Sequence, residues 1–205
     1  MEAEVILVCL FASLLAGFVH GALGMGYGMI TMATVTLVVP YNNAAAIVAV
    51  ALLVLVSQVS WQLRKYIDWR GALLPSLALL AGKISGIVLM MHLQSVYLRI
   101  AFGVFLIAYS STQLMNVKAL KIKGTLWQAL FFCGMGGLFG GVFNVSGPFA
   151  SIYCQAKYGH DPKAYAANMN LYFVPSALVA IFMHIGYGNF NPSAVVGSGI
   201  MAASV

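Results

Sequence analysis

Two glycine-rich stretches carry the residues of this chain best suited to chemistry. Residues 21–28 read GALGMGYG and residues 140–148 read GGVFNVSGP. Each interrupts a long apolar segment that otherwise has the composition of a helix, and each would break that helix. In a membrane such a break is costly, because lipid offers no partner for the freed N–H and C=O groups; irregular backbone survives there only when buried in protein or lining a wet cavity. Glycine lets the chain bend and lets other groups approach the backbone. In the second stretch, Ser146 is placed to cap a new helix and Pro148 to sit in its first turn. The N-terminus of that half-helix would lie at mid-membrane depth with free N–H donors and a partial positive charge, a combination that favours an anion. The structural alternative for either stretch alone is close helix packing through small residues. Two stretches at matching places favour a site built from broken helices.

Lys83 is the sharpest single residue. It lies well inside an apolar run, nine residues before His92, so the nearer helix end is ~14 Å away along the axis. A lysine stem spans less than half of that, so snorkelling does not free the charge. A charge at that depth costs at least ~2.5 kcal/mol, and no acidic residue lies within any apolar span to pair with it. A bound anion is the remaining partner; the alternatives are a neutral lysine or one in a water-filled crevice. Arg99, close to a helix start, reads as an interfacial anchor. Asn144 and Ser146 can cap broken helix ends or contact a ligand. Asn168 and Asn170, in AANMNLYF, point to different faces, so one of them, taken as Asn168, is expected to line a site. Ser57 and Gln58 are weaker candidates. His20 can contact a ligand or relay a proton, although a hydrogen-bonded structural histidine is the commoner case. The expected ligand-binding set is therefore Gly24, Gly26, Gly28, Lys83, Asn144, Ser146, Gly147 and Asn168.

The elements that must position these groups are membrane helices. The 205 residues are 62% hydrophobic and 7% charged, and apolar runs of membrane-spanning length recur throughout, which defines an all-α polytopic membrane protein. The N-terminus has Glu2 and Glu4 instead of a basic region, so it reads as a first membrane segment and not as a cleaved signal. Cys9, Cys133 and Cys154 lie in apolar segments without metal-ligand spacing and read as packing residues. No catalytic, metal or cofactor site is expected. The net charge of +6 reflects cytoplasmic loops and not nucleic-acid binding.

In chain order, residues 4–39 form one apolar stretch interrupted at 21–28. As continuous helix it would run ~54 Å against ~30 Å of hydrocarbon. Helices are expected at 43–63, 71–92 and 94–116. Residues 125–157 repeat the long, broken pattern, followed by helices at 162–187 and 191–205. If each broken segment crosses once, the loop cations divide between the two faces. If each is a hairpin that enters and leaves on one side, Arg64, Lys65, Arg70, Lys118, Lys121, Lys123, Lys157 and Lys163 gather on one face. The second arrangement fits the positive-inside rule better, and Trp61, Trp69 and Trp127 flank those basic loops. It places the N-terminus outside a cytoplasmic-type membrane.

The two halves echo one another. Gly17, Gly21 and Gly28 recur 119 residues later as Gly136, Gly140 and Gly147, and YIDWRG at 66–71 recurs as YGNFNP at 187–192. A hairpin followed by three spans inverts the next copy, so two inverted repeats are expected, 1–117 and 118–205, each a broken re-entrant hairpin followed by transmembrane helices. By this register Val205 corresponds to about Ile84, which leaves the second repeat incomplete.

The segments GFVHGALGMGYG and GGLFGGVFNVSGP, each opening one half, resemble the sulfite exporter TauE/SafE family, also called the toluene-sulfonate uptake permeases. The similarity covers essentially the whole chain. It departs at Met25 and Tyr27, where the family pattern is richer in glycine. The resemblance implies secondary transport of sulfite, organosulfonates or related oxyanions, coupled to an ion gradient. The expected partners are a small inorganic or organic anion, the lipid bilayer, a coupling proton or sodium ion, and a second copy in a homodimer. Alternating access about the two tips would be the mechanism. A competing reading is a non-transporting subunit or a truncated fragment that needs a partner. An intramembrane serine hydrolase, with Ser146 as nucleophile and His160 or His184 as base, is disfavoured because neither histidine is expected near mid-membrane.

Overall fold

The computed structural model describes residues 3–115 and 122–205. The loop lysines 118 and 121, and the expected boundary between the halves at 117/118, lie outside the described residues. Among the described residues there are nine α-helices, one 3-10 turn (Arg64–Tyr66) and no strand. The helices are α1 (Ala3–Leu23), α2 (Tyr27–Val35), α3 (Tyr41–Gln62), α4 (Trp69–Met91), α5 (Ser95–Leu114), α6 (Leu126–Phe143), α7 (Gly147–Tyr158), α8 (Pro162–Gly186) and α9 (Pro192–Ala203). Six of them, α1, α3, α4, α5, α6 and α8, are long and apolar enough to cross a membrane. The chain is a multi-pass membrane protein. Large apolar side chains such as Phe18 and Ile107 stand exposed on α1 and α5, as a lipid-facing surface requires.

Helix starts follow local chemistry. The Asp68 carboxylate accepts from the Gly71 N–H at 2.9 Å, so α4 begins two residues earlier than its apolar run. Asn191 caps α9 in the same way. Thr125 and Gln128 form a capping box that opens α6.

The chain turns back at both glycine stretches. Ser13 Oγ lies 2.9 Å from Tyr27 OH, although fourteen residues of straight helix would separate them by ~21 Å. A Cβ on Gly136 would stand 3.3 Å from the Ala150 amide across the second break. The interhelix contacts also sort into two ends. At one end Lys157 pairs with Asp68 at 3.3 Å, Lys163 reaches Tyr66 OH at 3.5 Å, and Gly124 lies beside Lys157. At the other, Asn43 donates to Asn189 O at 2.9 Å and Arg99 donates to Val39 O at 3.3 Å. Gly124 and Lys157 bracket α6 and α7, so that pair starts and finishes at the basic end. The turn after α2 is at the opposite end.

α4 and α6 pack backbone against backbone. A Cβ on Gly82 would collide with the Gly134 carbonyl, one on Gly86 with that of Leu138, one on Gly137 with that of Leu79, and one on Gly141 with that of Lys83. Small residues substitute for an interhelix hydrophobic drive, which lipid removes. Close packing and helix breaking are alternatives for the second glycine stretch when the sequence is read alone. In the fold its residues do both: Gly137 and Gly141 pack on α4, and α6 ends two residues after Gly141.

Candidate functional site

The two breaks meet. A Cβ on Gly28 would collide with the Asn144 carbonyl, and one on Gly147 would stand 3.0 Å from Met25 Cβ. Gly26 takes φ 111° and Asn144 takes φ 57°, left-handed conformations that glycine accepts freely and asparagine tolerates better than most residues. Each sits at a helix boundary where a β-branched residue would clash.

Lys83 is 2% exposed. Its Nζ donates to Gly140 O at 2.6 Å and to Asn144 Oδ1 at 2.9 Å. Gly140 belongs to the last turn of α6, the end of partial negative charge, and its carbonyl also accepts from the Asn144 N–H at 3.0 Å. The lysine has two acceptors within the protein, and as an ammonium it would have one proton left over. Asn144 relays the contact onward, since its Nδ2 donates to Ala45 O on α3 at 2.9 Å. Tyr41 OH takes a second carbonyl at this helix end, Val142 O, at 2.9 Å. Sequence reasoning misses Tyr41; nothing in its neighbourhood there points to residue 142, which is 101 positions away.

The N-termini of α2 and α7 border the same space as Lys83. Residues 25–29 and 144–147 line one cavity together with Lys83, His20 and Ser176, and the open space within it is about 20 Å³, that of roughly one or two water-sized spheres. The first N–H groups of each half-helix have no carbonyl partner in their own helix. Ser146 occupies the N-cap position of α7 but makes no side-chain capping bond, which corrects the expectation that its hydroxyl caps the helix. It leaves the hydroxyl available at the cavity wall.

Six of the eight expected binding residues, Gly26, Gly28, Lys83, Asn144, Ser146 and Gly147, thus come together. Gly24 sits one step back, against the Tyr165 ring. Asn168 is not brought to the cavity. Its amide accepts from the Asp68 N–H at 2.9 Å and donates to Tyr66 O and Ala164 O, tying α8 to the loop at the basic end. Its neighbour Asn170 instead holds His20, with Oδ1 2.9 Å from Nε2. Of the weaker candidates, Gln58 lines a separate crevice between α1 and α3. His184 is bonded to Asn189 at 2.9 Å, at the end away from the basic loops, and His160 follows α7 at the basic end; neither is placed beside Ser146.

At the basic end the charges are organised around Asp68. Gly71 N–H, then the Tyr158 hydroxyl at 2.9 Å and the Lys157 ammonium, hold its carboxyl below the usual carboxylate range, against the opposing effect of partial burial.

A multi-pass helical protein in which two broken helices and a buried lysine close on one cavity has the build of a membrane transporter. The chain belongs to the sulfite exporter TauE/SafE family, whose model matches residues 9–205. No curated protein and no solved structure matches it. Members of this family are membrane transporters of the sulfite-exporter type and not enzymes, and a small anion is the partner this membership supports.

Proposed function

We propose that the protein is a secondary transporter of small sulfur oxyanions, such as sulfite or an organosulfonate, working by alternating access at the cavity between the two breaks. The observation that carries this reading is the convergence of two half-helix N-termini and one buried lysine on a single space. The anion accepts from the free amides at the start of α2 and α7, from the third proton of Lys83 and from Ser146. Gly28 and Gly147 keep the backbone open to it. Lys83 also neutralises the carbonyl end of α6, so the same charge holds the break together and faces the ligand.

In this reading 1–117 and 118–205 are inverted repeats, with hairpins 4–39 and 125–157 re-entering from opposite faces. The basic loops face the cytoplasm, the N-terminus faces out, and the membrane is the cell membrane. The contacts that sort the loops into two ends support that arrangement. The small cavity volume leaves space for only about one or two water-sized spheres, so the tips must part to admit the anion. Movement of one tip away from the other opens a path, and a proton or sodium gradient supplies the direction. The outer faces of α1 and α5 are where a second copy would pack in a homodimer.

The test is thermal unfolding of the detergent-purified chain with sulfite, sulfate, thiosulfate, taurine, methanesulfonate and chloride at matched ionic strength, repeated on Lys83→Ala. A ligand at 100 times its Kd adds ~2.7 kcal/mol to the folded state. Selective stabilisation by a sulfur oxyanion, lost in Lys83→Ala, supports the site. A flat panel from a well-folded protein refutes it.

A further inference from the structure

His20 lines the tip cavity and is 2% exposed. Its two ring nitrogens are in different situations. Nε2 is 2.9 Å from Asn170 Oδ1. The Asn170 amide is oriented by its own Nδ2, which donates to Ala166 O at 2.8 Å, so Oδ1 is the atom presented to the ring and Nε2 carries the hydrogen. In the neutral ring Nδ1 then bears a bare lone pair. That atom is buried and has no hydrogen-bond partner. A buried polar atom left unpaired costs free energy comparable to a lost hydrogen bond, so it marks a place where a partner is missing.

The missing partner has to be a donor or a proton. A fully ionised oxyanion offers only lone pairs, and placing it in this cavity would set an acceptor near an acceptor. We propose that the anion binds together with one proton held between His20 Nδ1 and a ligand oxygen, so that His20 is the residue through which the transported anion and a proton are coupled. This rests on the anion site proposed above. The balance is simple: one proton is taken from water, Nδ1 becomes N–H, and that N–H donates to the anion. The ring is then a cation on the wall opposite no acid, since the titratable groups lining the cavity are His20, Lys83 and Tyr27. Tyr27 on α2 is hydrogen-bonded to Ser13 Oγ. Lys83 on α4 is directed at Gly140 O and Asn144 Oδ1. From α3, α7 and α8 the cavity is lined by Leu52, Gly147, Phe173 and Ser176, none of them titratable. His20 also borders a second crevice of about 250 Å³ between α1 and α3, lined in part by Gln58 and Gln62. The ring therefore stands between the two spaces, and the Gln58 and Gln62 side chains are the polar groups of that largely apolar crevice on α3.

The experiment is isothermal titration of the purified full chain with sulfate and with methanesulfonate, both fully ionised near neutral pH, in two buffers of different ionisation enthalpy. The expected result is uptake of about one proton per anion and an affinity that tightens about tenfold for each pH unit lowered over the neutral range. His20→Gln, which retains a donor toward Asn170, should bind more weakly with little proton uptake and a flat pH profile. Asn170→Asp provides a second arm: its carboxylate beside Nε2 charges the ring before the anion arrives, so uptake falls while binding persists. Binding to the wild type without proton uptake, or uptake unchanged in either variant, overturns the assignment of His20 while leaving the anion site standing. Failure of the wild type to bind any anion overturns the site itself, and the coupling with it.

Discussion

Replacing Gly86 with alanine adds one methyl group and tests whether the α4–α6 contact positions the site. The new Cβ would collide with the Leu138 carbonyl and stand 2.8 Å from Gly141 Cα. Both are backbone, so no side chain can rotate away, and the helices must separate by about 1 Å to reach ordinary contact. Lys83 lies one turn before Gly86 on the same helix, and its bonds to Gly140 O and Asn144 Oδ1 are 2.6 and 2.9 Å long. A shift of that size takes at least one of them beyond hydrogen-bond reach. Overpacking costs about 1–3 kcal/mol, and losing a hydrogen bond to a charged group costs about 1.5–3 more. Against this, alanine favours the helix over glycine by about 1 kcal/mol. The net expectation is destabilisation of roughly 1.5–5 kcal/mol, with weaker anion stabilisation. Gly103→Ala on α5 is the matched control, because nothing lies within 4 Å of its added Cβ; it should be neutral or slightly stabilising. The assay is thermal unfolding in detergent with and without the anion panel. A Gly86→Ala protein as stable as wild type and with intact ligand stabilisation would refute the reasoning, as would an equal loss in Gly103→Ala.

Two further expectations follow from the geometry. A Met25→Cys, Gly147→Cys pair, made in a background without Cys9, Cys133 and Cys154, should form a disulfide across the tips, since a Cβ on Gly147 would stand 3.0 Å from Met25 Cβ and a small separation brings the pair to the ~3.8 Å of a disulfide; oxidation should lower transport into proteoliposomes below that of the reduced form of the same variant, and equal activity of the two forms would exclude separation of the tips as the moving step. At the basic end, Asp68 has a folded pKa below its unfolded value, so its network stabilises the protein above pH ~3.9 and that contribution is lost as pH falls toward the folded value; Asp68→Asn should flatten the acid limb of a stability-versus-pH curve, and an unchanged limb would show that other groups set it.

Much of the lining of the candidate cavity was legible because its residues are anomalies in an apolar sequence. A lysine nine residues from the end of a membrane helix, and glycines where a helix should continue, contradict their surroundings, and each contradiction marks a group that needs a partner. Asn168 was misplaced for the opposite reason. Asparagine at mid-sequence is compatible with a ligand contact, a helix contact or a loop anchor, and the choice between Asn168 and Asn170 depends on the rotation of α8. Ser146 occupies the expected cap position, but its hydroxyl lies over Gly140, where an added Cβ would collide with it, a contact between side chain and preceding helix that sequence spacing does not give.

Length, hydropathy and the positions of the two glycine stretches were enough to determine that the chain is a helical membrane protein with two interrupted segments, and roughly where its helices lie. They act locally: bilayer thickness fixes span length, and glycine, proline and capping residues act on their own turn of chain. What only the tertiary structure decided is which groups meet. Lys83 finds Gly140 across 57 residues and His20 finds Asn170 across 150. No local rule links positions so far apart. The α4–α6 glycine contact and the docking of the two tips bring them together, and these depend on backbone approaching backbone at distances that periodicity cannot encode.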